Sequence, residues 1–156
     1  AGFEGMGDCL WVPNEYAVLA GFGFRTERAA VEHLAASLTH PVIPLQLIHP
    51  SFYHLDTCLS PIDSQRAFYV PEAFDEDSIT RLRRQFSTLI PIPLDEAIRF
   101  LACNGHCPDG KHFIVQEGAV KTVALAHNEG LIVEEVNTSE FLKSGGSVYC
   151  MKLMLP

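Results

Sequence analysis

The strongest constraint on how this chain can fold is a local pattern that recurs three times. Short apolar strands lead into an amphipathic helix and then into another strand. The helices start near positions 26, 75 and 119, which are 49 and 44 residues apart. A period of this size marks stacked or radial supersecondary units, because one such unit cannot bury its apolar face alone. In the first cycle Tyr16–Ala20 reads as a strand, Thr26–Leu38 as a helix with Thr26 as a candidate cap, and Val42–Ile48 as a buried strand. Phe52–Leu59 reads as extended and Arg66–Val70 as a strand. Asp75–Ser87 then forms a helix with Ile79, Leu82 and Phe86 on one face and Arg81, Arg83 and Arg84 turned outward. In the last cycle Ile98–Cys103 and His112–Gln116 read as strands around the turn at Asp109-Gly110. Ala119–Glu129 is a helix closed by Gly130. Leu131–Val136 and Val148–Leu155 are the final strands. No low-complexity linker interrupts the series, so residues 1–156 read as one mixed α/β domain of strand-strand-helix-strand units.

Composition narrows the function classes. A hydrophobic content of 47% over 156 residues supports a sizeable core. The formal net charge of -8 argues against a nucleic-acid partner, which would need a basic face, and suits a small cationic ligand. No apolar run approaches the length of a membrane span. Ala1–Asp8 does not read as a signal peptide. The five cysteines, Cys9, Cys58, Cys103, Cys107 and Cys150, are odd in number and irregular in spacing, as expected of free thiols in a reducing, cytoplasmic compartment. Motif residues begin as early as Phe3 and Glu4. The expectation is therefore a piece of a larger assembly: a homo-oligomer, or a chain completed by residues supplied upstream or by a second polypeptide.

Four segments combine glycine with charged or nucleophilic residues. They are Phe3–Asp8, Gly21–Thr26, Phe52–Thr57 and Gly145–Met151. Acid, histidine and cysteine in separate segments are the parts of a Cys–His site, in which a thiolate attacks, an imidazole moves protons and a carboxylate orients it. Taken singly, each residue has an ordinary reading. Cys150 in an apolar run is a packing residue, His54 a hydrogen-bonded structural histidine, Glu4 and Asp8 turn or cap residues, and Arg25 a solvated charge. Cys103-Asn104-Gly105-His106-Cys107 offers three metal-ligand types in one short turn. With no spaced fourth ligand it reads as a strand end and a turn, and no metal or cofactor is expected. The remaining histidines, His33, His40, His49, His112 and His127, read as surface or packing residues.

Together, and in this order, Glu4-Gly5-Met6-Gly7-Asp8, the Gly21–Thr26 segment with Arg25-Thr26, His54-Leu55-Asp56-Thr57, and Ser139-Glu140-Phe141-Leu142-Lys143 followed by Gly145-Gly146 and Cys150 resemble the guanidine-modifying superfamily. This superfamily comprises the arginine deiminases, dimethylarginine dimethylaminohydrolases and amidinotransferases. The resemblance runs from Glu4 to Met151. Ala102-Cys103-Asn104 also resembles a segment of that family. The fold it implies is the pentein, an α/β propeller of five ββαβ units around a central site. The chain would supply the C-terminal three units and the catalytic portion. By the same resemblance Cys150 matches the nucleophile and His54 the general acid/base. Glu4 matches the carboxylate that positions His54 or the guanidinium. Asp56 matches an acid that binds the guanidinium nitrogens, and Arg25 the arginine that pairs with the substrate carboxylate. Gly146 lies in the substrate-binding loop. Asp8 takes a structural turn role. No residue here matches the further guanidinium-binding acid that the upstream units carry in the family.

These roles imply hydrolysis of a guanidino amino acid, arginine or a methylarginine, through an amidino-sulfur intermediate. Two alternatives stay open: amidino transfer to an amine, and a binding module of the same fold without turnover.

Overall fold

The computed structural model describes residues 2–153. Two complete ββαβ units come first. In the first, β1 (Cys9–Trp11) pairs antiparallel with β2 (Val18–Phe22), α1 (Arg28–Ser37) crosses over, and β3 (Val42–Gln46) returns parallel to β2. In the second, β4 (Leu59–Pro61), β5 (Arg66–Tyr69), α2 (Glu76–Gln85) and β6 (Thr88–Pro91) repeat the same pairings. The central strand of the first unit is buried at all five positions, as expected of a strand covered on both faces. Pro44 can sit in β3 because that strand is an edge, where one missing N–H is tolerated. Asp75 caps α2 by accepting from the Ser78 N–H at 2.8 Å, and Leu82 and Phe86 turn into the core.

The third unit departs from the pattern. β7 (His112–Gln116), α4 (Val120–Asn128) and β8 (Ile132–Val136) form a two-stranded parallel sheet. The expected first strand is reduced to a single antiparallel bridge between His106 and Ile114. The run Ile98–Cys103, expected as that strand, is instead the end of helix α3 (Leu94–Phe100), followed by a 3-10 turn at Ala102–Asn104. The reason lies upstream of the apolar run. Asp95 and Glu96 occupy the first turn of α3, where the helix dipole favours them. The buried Glu96 carboxylate then accepts from Lys121 N, Thr122 N and Thr122 Oγ1, which locks α3 against the start of α4.

Two further segments differ from expectation for tertiary reasons. Phe52–Leu59 is not extended throughout, because Leu55–Thr57 is a 3-10 turn with all three residues buried. Val148–Leu155 does not begin as a strand. Val148–Met151 is one helical turn, α6, after a second short helix α5 (Ser139–Leu142); Met154 and Leu155 lie outside the described residues. The main core is built on Phe52, Phe68, Phe113, Leu55 and Leu59, from the inner faces of the units. The 3-10 turn at 55–57 and the turn at 102–104 lie beside that core, so the chemistry-bearing segments rest on packed apolar surface.

Candidate active site

The buried Asp8 joins three of the sequence motifs. One carboxylate oxygen accepts from the Leu55 N–H at 2.9 Å, and the other accepts from Thr26 Oγ1 at 2.7 Å. Thr26 Oγ1 in turn accepts from the Glu4 N–H at 3.1 Å. Asp8 is thus a stitch between distant segments rather than a local turn residue. Burial raises its pKa, while its hydrogen bonds from Thr26 and Leu55 oppose the rise. Gly7 makes the same junction possible. A Cβ there would sit 2.6 Å from His54 Nδ1, so only glycine lets the imidazole lie this close.

Glu4, His54 and Arg25 form a half-open cluster. His54 Nε2–H donates to Glu4 Oε2 at 2.6 Å, and the other Glu4 oxygen lies 3.5 Å from Arg25 Nη1. The His54 hydrogen bond is the main cause of a lowered Glu4 pKa. The Arg25 guanidinium also stands 5.6 Å from the centre of the Tyr53 ring, and that ring packs against His54 at 4.7 Å. The Arg25 side chain remains 56% exposed, so it can take a second partner from solvent.

The second cluster sets an exposed cysteine, Cys150, against a buried acid. Asp56 is 4% exposed, and the Cys150 thiol donates to its Oδ2 at 3.3 Å. Its other oxygen, Oδ1, is buried without a hydrogen-bond partner. Burial pushes the Asp56 carboxyl up to about 6, with the Cys150 hydrogen bond opposing the rise. Burial and then the Asp56 charge raise the Cys150 thiol as well. Asn104 bridges the two. Its amide donates to the Asp56 carbonyl at 3.0 Å, and its oxygen accepts from Ser147 N at 3.1 Å and Cys150 N at 3.4 Å.

The sequence motifs therefore meet, with one change of partner. The 53–56 segment touches the 145–150 loop twice, through Asp56–Cys150 and through Tyr53 Oη, which donates to the Gly145 carbonyl at 2.5 Å. Among the described residues the thiol's hydrogen bond goes to Asp56, while His54 Nε2 is held by Glu4. Gly146 lies on the same loop, and a Cβ on it would stand 3.9 Å from Cys150 Sγ. Cys150 is exposed, whereas Cys58, Cys103 and Cys107 are buried and burial raises the Cys9 thiol to about 11. Among the described residues no three His, Cys, Asp or Glu side chains gather as metal ligands, and no helix is long and apolar enough to cross a membrane. Sequence reasoning missed Tyr53 and the bridging role of Asn104. The Ala102-Cys103-Asn104 segment was visible, but nothing in its spacing indicated which residues its amide would reach.

The arginine deiminase family model matches residues 1–89. The N(G),N(G)-dimethylarginine dimethylaminohydrolase of Mycobacterium tuberculosis is 39% identical over 152 residues, a match that covers 96% of this chain and 48% of that protein. The crystal structure of the product-bound N-terminal domain of ArgZ, an arginine dihydrolase of cyanobacteria, superposes with a TM-score of 0.87 at 32% identity. That match covers 97% of this chain and 55% of the ArgZ chain. SxtG, an amidinotransferase from Microseira wollei, shares the fold with a TM-score of 0.76 at 16% identity, over 92% of this chain and 45% of that one. The chain spans about half the length of the curated relatives it matches first. Its repeated ββαβ units, its four assembled motifs and these matches show that the chain belongs to the arginine deiminase family, within the guanidine-modifying pentein superfamily.

Proposed function

We propose that this chain carries the catalytic half of a cysteine-dependent hydrolase of a guanidino amino acid, arginine or a methylarginine. One observation carries the reading: a buried carboxyl, Asp56, faces the Cys150 thiol and keeps one oxygen unpartnered. A buried acceptor left unpaired is costly, and a guanidinium N–H answers it with a charge-assisted bond. That bond would hold the guanidinium carbon beside the sulfur. The bound cation would also favour both anions, so the thiol that burial keeps protonated would ionise when substrate arrives.

The steps then balance. The Cys150 thiol gives its proton to His54, and the thiolate adds to the guanidinium carbon and forms a C–S bond. The tetrahedral adduct collapses with cleavage of one C–N bond, and His54 gives a proton to the departing amine or ammonia. An amidino-sulfur intermediate remains. His54 takes a proton from a water molecule that adds to the same carbon, and the C–S bond breaks to release a ureido product as the hydroxyl proton passes to the sulfur and restores the thiol. Glu4 holds His54 in position, and Arg25 binds the substrate carboxylate at the rim.

Residues 1–156 would be three of five pentein units, and the other half of a relative-length polypeptide, in the same chain or another, would close the ring and add a further guanidinium-binding acid. An open groove of about 650 Å³, lined by Phe3, Leu10, Trp11, Leu34 and Tyr149 among others, supports a covering partner there. Five unpaired cysteines support a reducing, cytoplasmic location.

The test is product analysis on the full-length protein with arginine and methylarginines, with and without an added amine acceptor. Ureido product and one equivalent of amine or ammonia are expected in both cases. Transfer of the amidino group to the acceptor would overturn the hydrolase reading, and a folded protein with no turnover would favour a binding module.

A further inference from the structure

We propose that Asn104 is a positioning residue for this reaction: its buried amide ties the turn carrying Asp56 to the loop carrying Cys150 and so sets their approach. The inference rests on the hydrolase reading above.

Asn104 has no solvent exposure, yet its side chain makes bonds to three backbone groups remote in sequence. The amide N–H donates to the carbonyl of Asp56, 48 positions away. The amide oxygen accepts from Ser147 and Cys150, 43 and 46 positions away. A side-chain amide has donors on one arm and two acceptor sites on the other, so one residue serves both segments at once. Neither aspartate nor leucine could make this set of bonds.

The platform beneath it is fixed. The Asn104 N–H donates to the carbonyl of Leu101 at 2.8 Å, and Leu101 holds a left-handed backbone with φ of 46°. The loop it grips is held from the other side as well. Ser147 is buried, and its hydroxyl lies 2.8 Å from Thr138 Oγ1. Thr138 donates its N–H to Gln116 Oε1 at 2.6 Å and hydrogen-bonds the same oxygen through its hydroxyl. Thr138 and Gln116 anchor the loop to the third unit, whereas Asn104 links it to the acid.

The electrostatics agree with the geometry. Hydrogen bonding by Asn104 lowers the pKa of both Asp56 and Cys150, against the burial that raises them. Removing the amide should therefore move the thiol further alkaline as well as loosen its position. A residue that only stabilised the fold would change the melting temperature and leave the thiol's titration where it was.

The experiment measures, in the full-length protein, the pH dependence of Cys150 alkylation by a haloacetamidine, with kcat and KM for ureido formation and a thermal melt. Asn104→Ala is expected to shift the alkylation midpoint to higher pH and to lower kcat by roughly 10²-fold, the scale of a small misplacement of reacting groups. KM should change far less, because Arg25 and Glu4 are untouched. Asn104→Asp is nearly isosteric, keeps an acceptor for the loop and loses the donor to Asp56. It keeps the test open if the alanine variant does not fold, and the same alkaline shift is expected. Unchanged midpoint and kcat in either folded variant would overturn the proposal. The alkylation readout needs no turnover: a wild type inactive on every guanidino compound would sink the hydrolase reading, while the thiol midpoint would still decide the role of Asn104.

Discussion

His54 and Asp56 are two positions apart and belong to different electrostatic environments. His54 pairs with a Glu4 whose side chain is 40% exposed, beside an arginine open to solvent. Asp56 is buried against a thiol and a carboxamide, with one oxygen unpaired. Water screens the first cluster, so its ion pairs position groups and cost little to break. Exclusion of water governs the second, so its acid and its thiol both hold their protons more tightly than usual until a cation compensates them. The cause of the contrast is the 3-10 turn at Leu55–Thr57, which turns Asp56 inward immediately after an extended His54.

The largest expected effect is at the thiol beside Asp56. Cys150→Ala should reduce ureido formation by on the order of 10⁴-fold or more, as loss of a covalent nucleophile does, with the melting temperature nearly unchanged because Cys150 is exposed. Residual activity above a hundredth of wild type would remove the thiol from the mechanism.

Asp56→Asn comes next and sharpens the contrast through pH. The folded pKa of Asp56, about 6, lies above the ordinary 3.8, so the folded state holds the proton more tightly. The stability this contributes is present below about pH 4 and is lost as pH rises through about 6. Ionised Asp56 should thus cost the unliganded protein up to about 3 kcal/mol at pH 7. In urea melts the variant's stability relative to wild type should rise between pH 4 and pH 7 while turnover is lost. A difference that stays flat with pH would show that Asp56 titrates like an ordinary exposed acid.

Gly7→Ala probes the seam between the clusters. The added methyl group would meet His54 Nδ1, and overpacking of this kind costs about 1–3 kcal/mol. Stability should fall by that amount, and kcat should fall with it as His54 is displaced from Glu4. A variant with wild-type kcat would show that the imidazole can move without consequence.

Arg25→Ala gives the smallest expected effect, in keeping with its exposure. KM for arginine should rise about tenfold, the scale of one charged hydrogen bond, while decarboxylated agmatine should be affected much less. Equal losses for both would show that Arg25 does not read the carboxylate.

The unit repeat, the helices around α2 and α4, and the order of the four motifs are legible along the chain. These are local properties: apolar periodicity and capping act within a few turns of chain, and the motif residues are fixed by composition. Tertiary structure decided which groups met. Ile98–Cys103 had the composition of a strand and became helical because Glu96 anchors α3 to α4. The third unit kept only one bridge of its first strand. Cys150 sits on a helical turn rather than in the expected strand, and its thiol bonds to Asp56, 94 positions away, while His54 turns to Glu4. Burial raised Asp56 and Asn104 joined it to the Cys150 loop, because desolvation and hydrogen-bond geometry depend on neighbours that only the folded chain brings within 3–4 Å.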